Sequence, residues 1–317
     1  MPQLRLFATA SVASLLTACA TQMSSPAASS YEAPSVADTR VLAEFPNGTF
    51  LENLLVESDG DILVTSYTDK SIIRVAPDGS TATFASLPVH PSQVIAYGNG
   101  YVAVGHGRSF LDGAQQVEGS NALVFIDAGG KVEREVPVNG AVFLNGIALA
   151  PDGSILAADS LEATVWKLDP QTGGASVVVE SDALLYAASN PFSPGANGVE
   201  LRDGYLYVSS SGNGSVMRAP YADGRATGPL VRYADFDTVD DFTFLNDGSL
   251  AAATHAESIM VLDRDGKIQT LTTPDLGGPT AVALGQGPMN GALVVSTTGH
   301  LLSGGKDPAR VYVLDLR

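Results

Sequence analysis

The sequence predicts an all-β fold, a six-bladed β-propeller closed by an N-terminal strand. Three observations predict it. Residues 40–317 carry no convincing helical period. A strand–turn–strand pattern recurs along them every 40–50 residues. The sixth repeat stops one strand short, while a spare strand precedes the first.

The first residues are a leader rather than part of this fold. "MPQLRLFATASVASLLTA" has one cation, Arg5, followed by an apolar run too short and interrupted to span a membrane. Leu16-Thr17-Ala18-Cys19 resembles a bacterial lipobox, which implies a signal peptide at 1–18 and lipidation of Cys19, the only cysteine. The alternative is an ordinary secretory signal cut near Ala18 or Ala20. Residues 19–39 are rich in Ser, Ala and Pro and read as a flexible tether. The expected location is therefore the bacterial cell envelope: a lipoprotein on the outer membrane facing the periplasm, membrane-bound through its lipid anchor only, or else a secreted protein.

The spare strand is "TRVLAEFP" at 40–47. Blade one begins at Glu52 with "ENLLVESDGDILVTS", then "SIIRVAP" and "TATFASL". Blade two begins at Gln93 with "QVIAYGNGYVAVGH". Blade three begins at Asn145 with "NGIALAPDGSILAADS", followed by "ATVWKLDP" and "ASVVVES". Blade four begins at Asn197 with "NGVELRDGYLYVSSS", then "GSVMRAP". Blade five begins at Asp240 with "DDFTFLNDGSLAAATH", then "SIMVLDRDG". Blade six begins at Thr280 and ends in "ALVVSTT" and "ARVYVLDLR". The six leads are 41, 52, 52, 43 and 40 residues apart. A sandwich or solenoid accounts for neither the count nor the spare strand. The Asp-Gly pairs at 59–60, 78–79, 152–153 and 247–248 are turn chemistry, and Trp166 belongs to blade packing.

With 34 acidic against 17 basic residues the net charge is −17, so the chain is a poor nucleic-acid binder and is repelled by anionic lipid. Nothing in the sequence fixes its oligomeric state.

The innermost strand of a blade starts at the mouth of the central channel. All six leads there are oxygen-bearing: Glu52, Gln93, Asn145, Asn197, Asp240 and Thr280. Carboxylates converging on one axis repel unless a cation neutralises them. Glu52, Asn145, Asn197 and Asp240, with no His or Cys among them, suit Ca²⁺ or another divalent cation. Oxygens sharing Ca²⁺ lie no more than about 5 Å apart. The competing reading makes Asn145-Gly146 and Asn197-Gly198 turn pairs and the two carboxylates solvated loop residues. The second strand of each blade returns to the same mouth, placing Tyr67, His106, Asp159 and His255 around it. His255 and His106 are candidate proton carriers; the competing reading makes each a satisfied loop histidine.

Glu52, Asn145, Asn197 and Asp240, on blades one, three, four and five, resemble the metal positions of the regucalcin/gluconolactonase family. Squid-type phosphotriesterases and paraoxonases share that pattern. The resemblance implies a six-bladed propeller with Ca²⁺ at those four residues that hydrolyses lactones, esters or phosphoesters. The sequence departs from the family at three sites. Asn53-Leu54 replaces Gly-Pro, Phe143 replaces the Arg that grips a sugar lactone, and Asp241 replaces a Gly. A more apolar substrate suits Phe143. "FPNGTFLENLLV" and "DDFTFLNDGSLAAAT" are similar to a branch known from secreted fungal proteins, a few of which resemble pericyclases that do no hydrolysis.

The expected activity is hydrolysis of a small-molecule lactone or related ester, with Asp240 orienting or activating water and Asp241 or His255 assisting. Tyr67, Gln93, His106, Phe143 and Asp159 are expected to line the substrate pocket. The alternative is a non-hydrolytic propeller, a cyclase-like pocket or a lipid-anchored binding or scaffold protein, with a structural ion.

Overall fold

The computed structural model describes residues 32–113, 116–185 and 194–317. The leader, Cys19 and most of the tether lie outside these residues. Among the described residues, no helix is long and apolar enough to cross a membrane.

Six antiparallel sheets make up the body. Blade one comprises Leu51–Val56, Ile62–Ser66, Ser71–Val75 and Thr81–Ser86. Blade two comprises His90–Tyr97, Gly100–His106, Asn121–Ile126 and Val132–Val138. Blade three comprises Leu144–Leu149, Ile155–Asp159, Thr164–Leu168 and Ala175–Glu180. Blade four comprises Ala196–Arg202, Tyr205–Ser210, Ser215–Ala222 and Val231–Asp235, with Arg225–Ala226 as an added short strand. Blade five comprises Phe242–Phe244, Leu250–Ala253, Ile259–Leu262 and Ile268–Thr270. Blade six takes Pro279–Leu284, Ala292–Thr297 and Pro308–Leu316 from the C-terminal end, and Val36–Asn47 from the N-terminal end. That N-terminal strand is longer than the predicted 40–47, because Val36 to Thr39 continue the pairing along Leu316 to Leu314.

Each blade buries both faces against its neighbours, so its second strand is buried along nearly its whole length rather than alternating. Ile62–Ser66 and Ile155–Asp159 are buried at every position, whereas the outer strand Thr81–Ser86 is mostly exposed. Six apolar clusters fill the six junctions between blades. Leu63, Ile72, Val94 and Val124 join blades one and two. Leu51, Ile62, Val294 and Val311, with Ala43 and Phe45 of the N-terminal strand, join blades six and one. Each such buried aliphatic side chain contributes roughly 1.5–3 kcal/mol, so the two chain ends are held by the same apolar contacts as any other junction.

The Asp-Gly turns have a common build. Gly60, Gly79, Gly153 and Gly248 have φ between +83° and +96°, a region that costs a side chain strain. The preceding carboxylates of Asp59, Asp78, Asp152 and Asp247 accept the backbone N–H of Asp61, Ser80, Ser154 and Ser249. These turns join first to second strands, or third to fourth at Asp78-Gly79, away from the mouth.

Candidate metal centre and cavity

Inner strands of blades one, three and four share a fault in register. Leu51 pairs with Ser66 but Leu54 with Val64, Leu144 with Asp159 but Ile147 with Ala157, and Ala196 with Ser210 but Val199 with Val208. Each leaves an extra residue at the lead, a bulge that re-aims a side chain. In blade five both Asp240 and Asp241 bond to Ala253. The freed N–H groups are taken up by hydroxyls of the second strands: Asn53 N–H donates to Thr65 Oγ1 at 2.8 Å and Gly198 N–H to Ser209 Oγ at 2.6 Å.

The Asn-Gly pairs are therefore not turns. Gly146 and Gly198 lie inside inner strands. A Cβ on Gly146 would stand 2.7 Å from Gly198 Cα and closer still to Asn197 O; one on Gly198 would stand 2.6 Å from Asp241 Oδ1. Glycine is required here because blades three, four and five approach each other closely at the axis.

The leads of blades one, three, four and five converge. Glu52, Asn145, Asn197 and Asp240 are each 8 % exposed or less and line one cavity of about 340 Å³. Asn145 hydrogen-bonds Glu52, and Asn197 Nδ2 donates to Asp240 Oδ1. The two amides are oriented from behind. Asn145 Nδ2 donates to Ser160 Oγ at 3.4 Å, whose own hydrogen goes to Ala196 O at 2.7 Å. Asn197 Nδ2 donates to Ser211 Oγ at 3.0 Å, which donates to Val239 O at 2.7 Å. Because each serine hydrogen is committed to a carbonyl, the serine can only accept. Each serine thus fixes one hydrogen of an amide NH₂, and the same NH₂ also donates to the neighbouring lead, Glu52 for Asn145 and Asp240 for Asn197. Sequence reading missed Ser160 and Ser211, although both directly follow a second strand at the same phase of the repeat.

Glu52 Oε2 is buried without a hydrogen-bond partner. Burial, then the charges of Asp240 and Asp241, hold the Glu52 carboxyl well above the usual carboxylate range. His255 Nε2 donates to Asp240 Oδ2 at 2.7 Å. Burial opposes the charged imidazole, but Asp240 outweighs it and holds His255 above its ordinary value. The donor set, two carboxylates and two amide oxygens with one oxygen orphaned, fits a hard divalent cation. A separate triplet, Glu57, Asp59 and Asp61, has ligand atoms within 4.8 Å of one another. It sits in a turn away from the mouth, where Arg74 lies 3.5 Å from both Glu57 and Asp61.

Apart from Gln116 and His255, the rest of the described cavity wall is apolar, chiefly Phe50, Phe110, Phe143, Leu161, Pro194 and Leu302. Phe110 meets Phe50 and Phe143 edge-to-face, with ring centroids 5.7 and 5.8 Å apart.

Phe143 and His255 line the cavity as expected, but the other pocket residues stand behind it. His106 is fully buried, stacked on Phe143 at 4.0 Å, with Nε2 donating to Leu144 O at 2.6 Å. Burial pushes its pKa down to about 4, so it is neutral at ordinary pH, with its one N–H given to Leu144 O. Tyr67, also fully buried, packs on Phe50 and Phe110 and accepts the Phe110 N–H at 3.2 Å. Asp159, buried, accepts the N–H groups of Val142, Phe143, Leu161 and Glu162 and the indole N–H of Trp166. Gln93 accepts the Ile147 N–H, bracing blade two against blade three. Asp241 is not among the cavity residues. Its carboxylate accepts from Asn53 Nδ2 at 3.1 Å, and burial pushes it up to about 8. Thr280 is buried with its hydroxyl donating to Leu51 O at 2.7 Å. In each case the polar group satisfies a neighbour's backbone or amide, a tertiary demand that no local pattern announces.

No protein-family model matches the chain, and no curated protein matches it. Solved structures do. A gluconolactonase from Xanthomonas campestris superposes with a TM-score of 0.65 at 15% identity, covering 91% of this chain and 96% of that one. Luciferin-regenerating enzyme gives 0.64 at 14%, covering 88% and 95%. A calcium-binding protein, regucalcin, from Agrobacterium tumefaciens gives 0.60 at 15%, covering 87% and 93%. The chain thus has the six-bladed propeller fold shared by gluconolactonase, regucalcin and luciferin-regenerating enzyme.

Proposed function

We propose that the chain is a divalent-cation-dependent hydrolase, with Ca²⁺ the expected ion, acting on a lactone or related ester with an apolar acyl part. One observation carries the proposal: Glu52, Asn145, Asn197 and Asp240 come from four blades to line one cavity with a largely apolar wall, and Glu52 Oε2 is left without a partner. Those four residues would hold the ion, which supplies polarisation of the carbonyl and charge for the developing oxyanion.

The protein's own groups do the rest. Asp240 Oδ2 orients the attacking water and accepts its proton. His255 donates through Nε2 to that oxygen and passes a proton to the leaving alkoxide; the proton on Asp240 then restores the imidazolium. Phe50, Phe110 and Phe143 hold the acyl part and exclude water. Among the described residues no Lys or Arg lines the cavity, and the charge of His255 is already engaged by Asp240, so an anionic sugar acid finds no free cation there. Asp241, one residue deeper, tunes the charge around Asp240 rather than touching substrate.

A non-hydrolytic pocket is the second reading. It is favoured by the Asn145–Glu52 and Asn197–Asp240 hydrogen bonds, which satisfy the amides without an ion. Calorimetric Ca²⁺ titration combined with turnover of a γ-lactone and aryl-ester panel separates the two. The hydrolase reading expects binding, turnover that EDTA abolishes, and loss of at least about 100-fold in kcat for Asp240→Asn. Tight Ca²⁺ binding without turnover supports the second reading. We further propose that Cys19 is lipidated and tethers the propeller to the outer membrane facing the periplasm; metabolic labelling with a palmitate analogue, lost in Cys19→Ser, tests this.

A further inference from the structure

His255 forms the wall between two hollows. On one side is the apolar cavity; on the other is a groove of about 680 Å³ across the mouth-side loops of blades five and six. The two differ in chemistry. The groove is lined by hydroxyl side chains, among them Thr238, Thr270 and Thr272, and by the carboxylates of Asp237, Glu257 and Asp275. His255 has φ +55°, a left-handed conformation that a non-glycine residue adopts only when its surroundings impose it. Backbone bonds impose it here. His255 N–H donates to Pro279 O at 2.9 Å, Gly278 to Ala256 O at 3.1 Å and Leu276 to Glu257 O at 2.8 Å. His300 N–H donates to Gly277 O at 3.0 Å. The groove walls are therefore braced rather than loose.

We propose that this groove is a second subsite, which takes the polyhydroxylated part of a substrate whose apolar part fills the cavity. The inference rests on the reading of the cavity as the reacting site. A molecule lying across His255 places its central bond beside Asp240, its apolar end among the phenylalanines and its other end among the threonines. The carboxylates repel an anion. Asp275 is already held by His300, with Nε2 at 3.0 Å from both oxygens. The hydroxyls offer donors and acceptors together, which a polyol matches and an alkyl group does not.

The test separates binding from turnover by using ethers, which cannot be hydrolysed. 1-O-Hexylglycerol and hexyl propyl ether are titrated calorimetrically into the Ca²⁺-supplemented protein. Each neutral hydroxyl bond made adds roughly fivefold in affinity, so the glycerol ether is expected to bind at least about fivefold more tightly. Thr270→Val with Thr272→Val, both exposed side chains, is expected to cut that preference below about twofold while leaving hexyl propyl ether unchanged. Thr272→Val alone should remove part of it. Equal affinities in the parent protein, or a preference that survives both substitutions, overturns the subsite. Failure of the hydrolase reading shows elsewhere, as absent turnover of 1-monohexanoylglycerol despite the binding preference.

Discussion

Replacing Gly146 by alanine is expected to damage stability and cation binding together. The new Cβ would stand 2.7 Å from Gly198 Cα and nearer still to Asn197 O, both backbone atoms of the next blade. Ordinary contact needs 3.4 Å or more, so blade four must retreat by close to an ångström at its inner edge. Overpacking of this kind costs about 1–3 kcal/mol, and a strand that cannot rotate away puts Gly146→Ala near the top of that range. The struck residue is Asn197, whose side chain is bonded to both Asp240 and Ser211. Disturbing such a support lowers metal affinity by about 10–100-fold. Gly153→Ala is the control. There φ is +83° with nothing within 4 Å of the added Cβ, so it costs about 1–2 kcal/mol from backbone strain alone and leaves Ca²⁺ affinity untouched. Urea midpoints and Ca²⁺ calorimetry on both variants decide the matter. A Gly146→Ala protein with the parent's midpoint and affinity would refute the close-approach argument, as would equal losses of affinity in both.

Three further outcomes follow from the residues behind the cavity. Ser160→Ala and Ser211→Ala each free an amide to rotate, and calorimetry should find Ca²⁺ affinity about 10-fold weaker in each. His106 sits at about 4 against an ordinary 6.5, so the unfolded chain binds the extra proton. Its stability contribution is complete above about pH 6.5 and falls by about 3 kcal/mol as pH drops to about 4; urea midpoints of His106→Gln, which keeps a donor for Leu144 O, should lack that part of the acid slope. Asp159→Asn puts an amide hydrogen among five N–H donors and should cost about 2–4 kcal/mol in urea denaturation, with weaker binding of apolar esters as Phe143 loses its anchor.

The blade count, the four leads at the mouth and Phe143 in the wall were legible in the chain, because a repeat places equivalent residues at equivalent points. Gln93 begins an inner strand, and Tyr67, His106 and Asp159 stand at second-strand ends; all four were expected in the same pocket. They lie behind it instead. Tyr67 and His106 fill the space beneath aromatic rings from another blade or loop, and the Asp159 carboxylate is drawn back by five N–H groups from its own blade's loops and third strand.

By itself the sequence determined which residues form strands, how many blades they make and which polar side chains begin each inner strand, since alternation, turn glycines and spacing are local properties of a chain. Only the tertiary structure decided which of those side chains face the cavity, why Gly146 and Gly198 must be glycine, and that His255 stands between an apolar hollow and a polar one. Those depend on distances between blades, and residues brought together from 40 or more positions apart leave no mark on their own neighbours in the sequence.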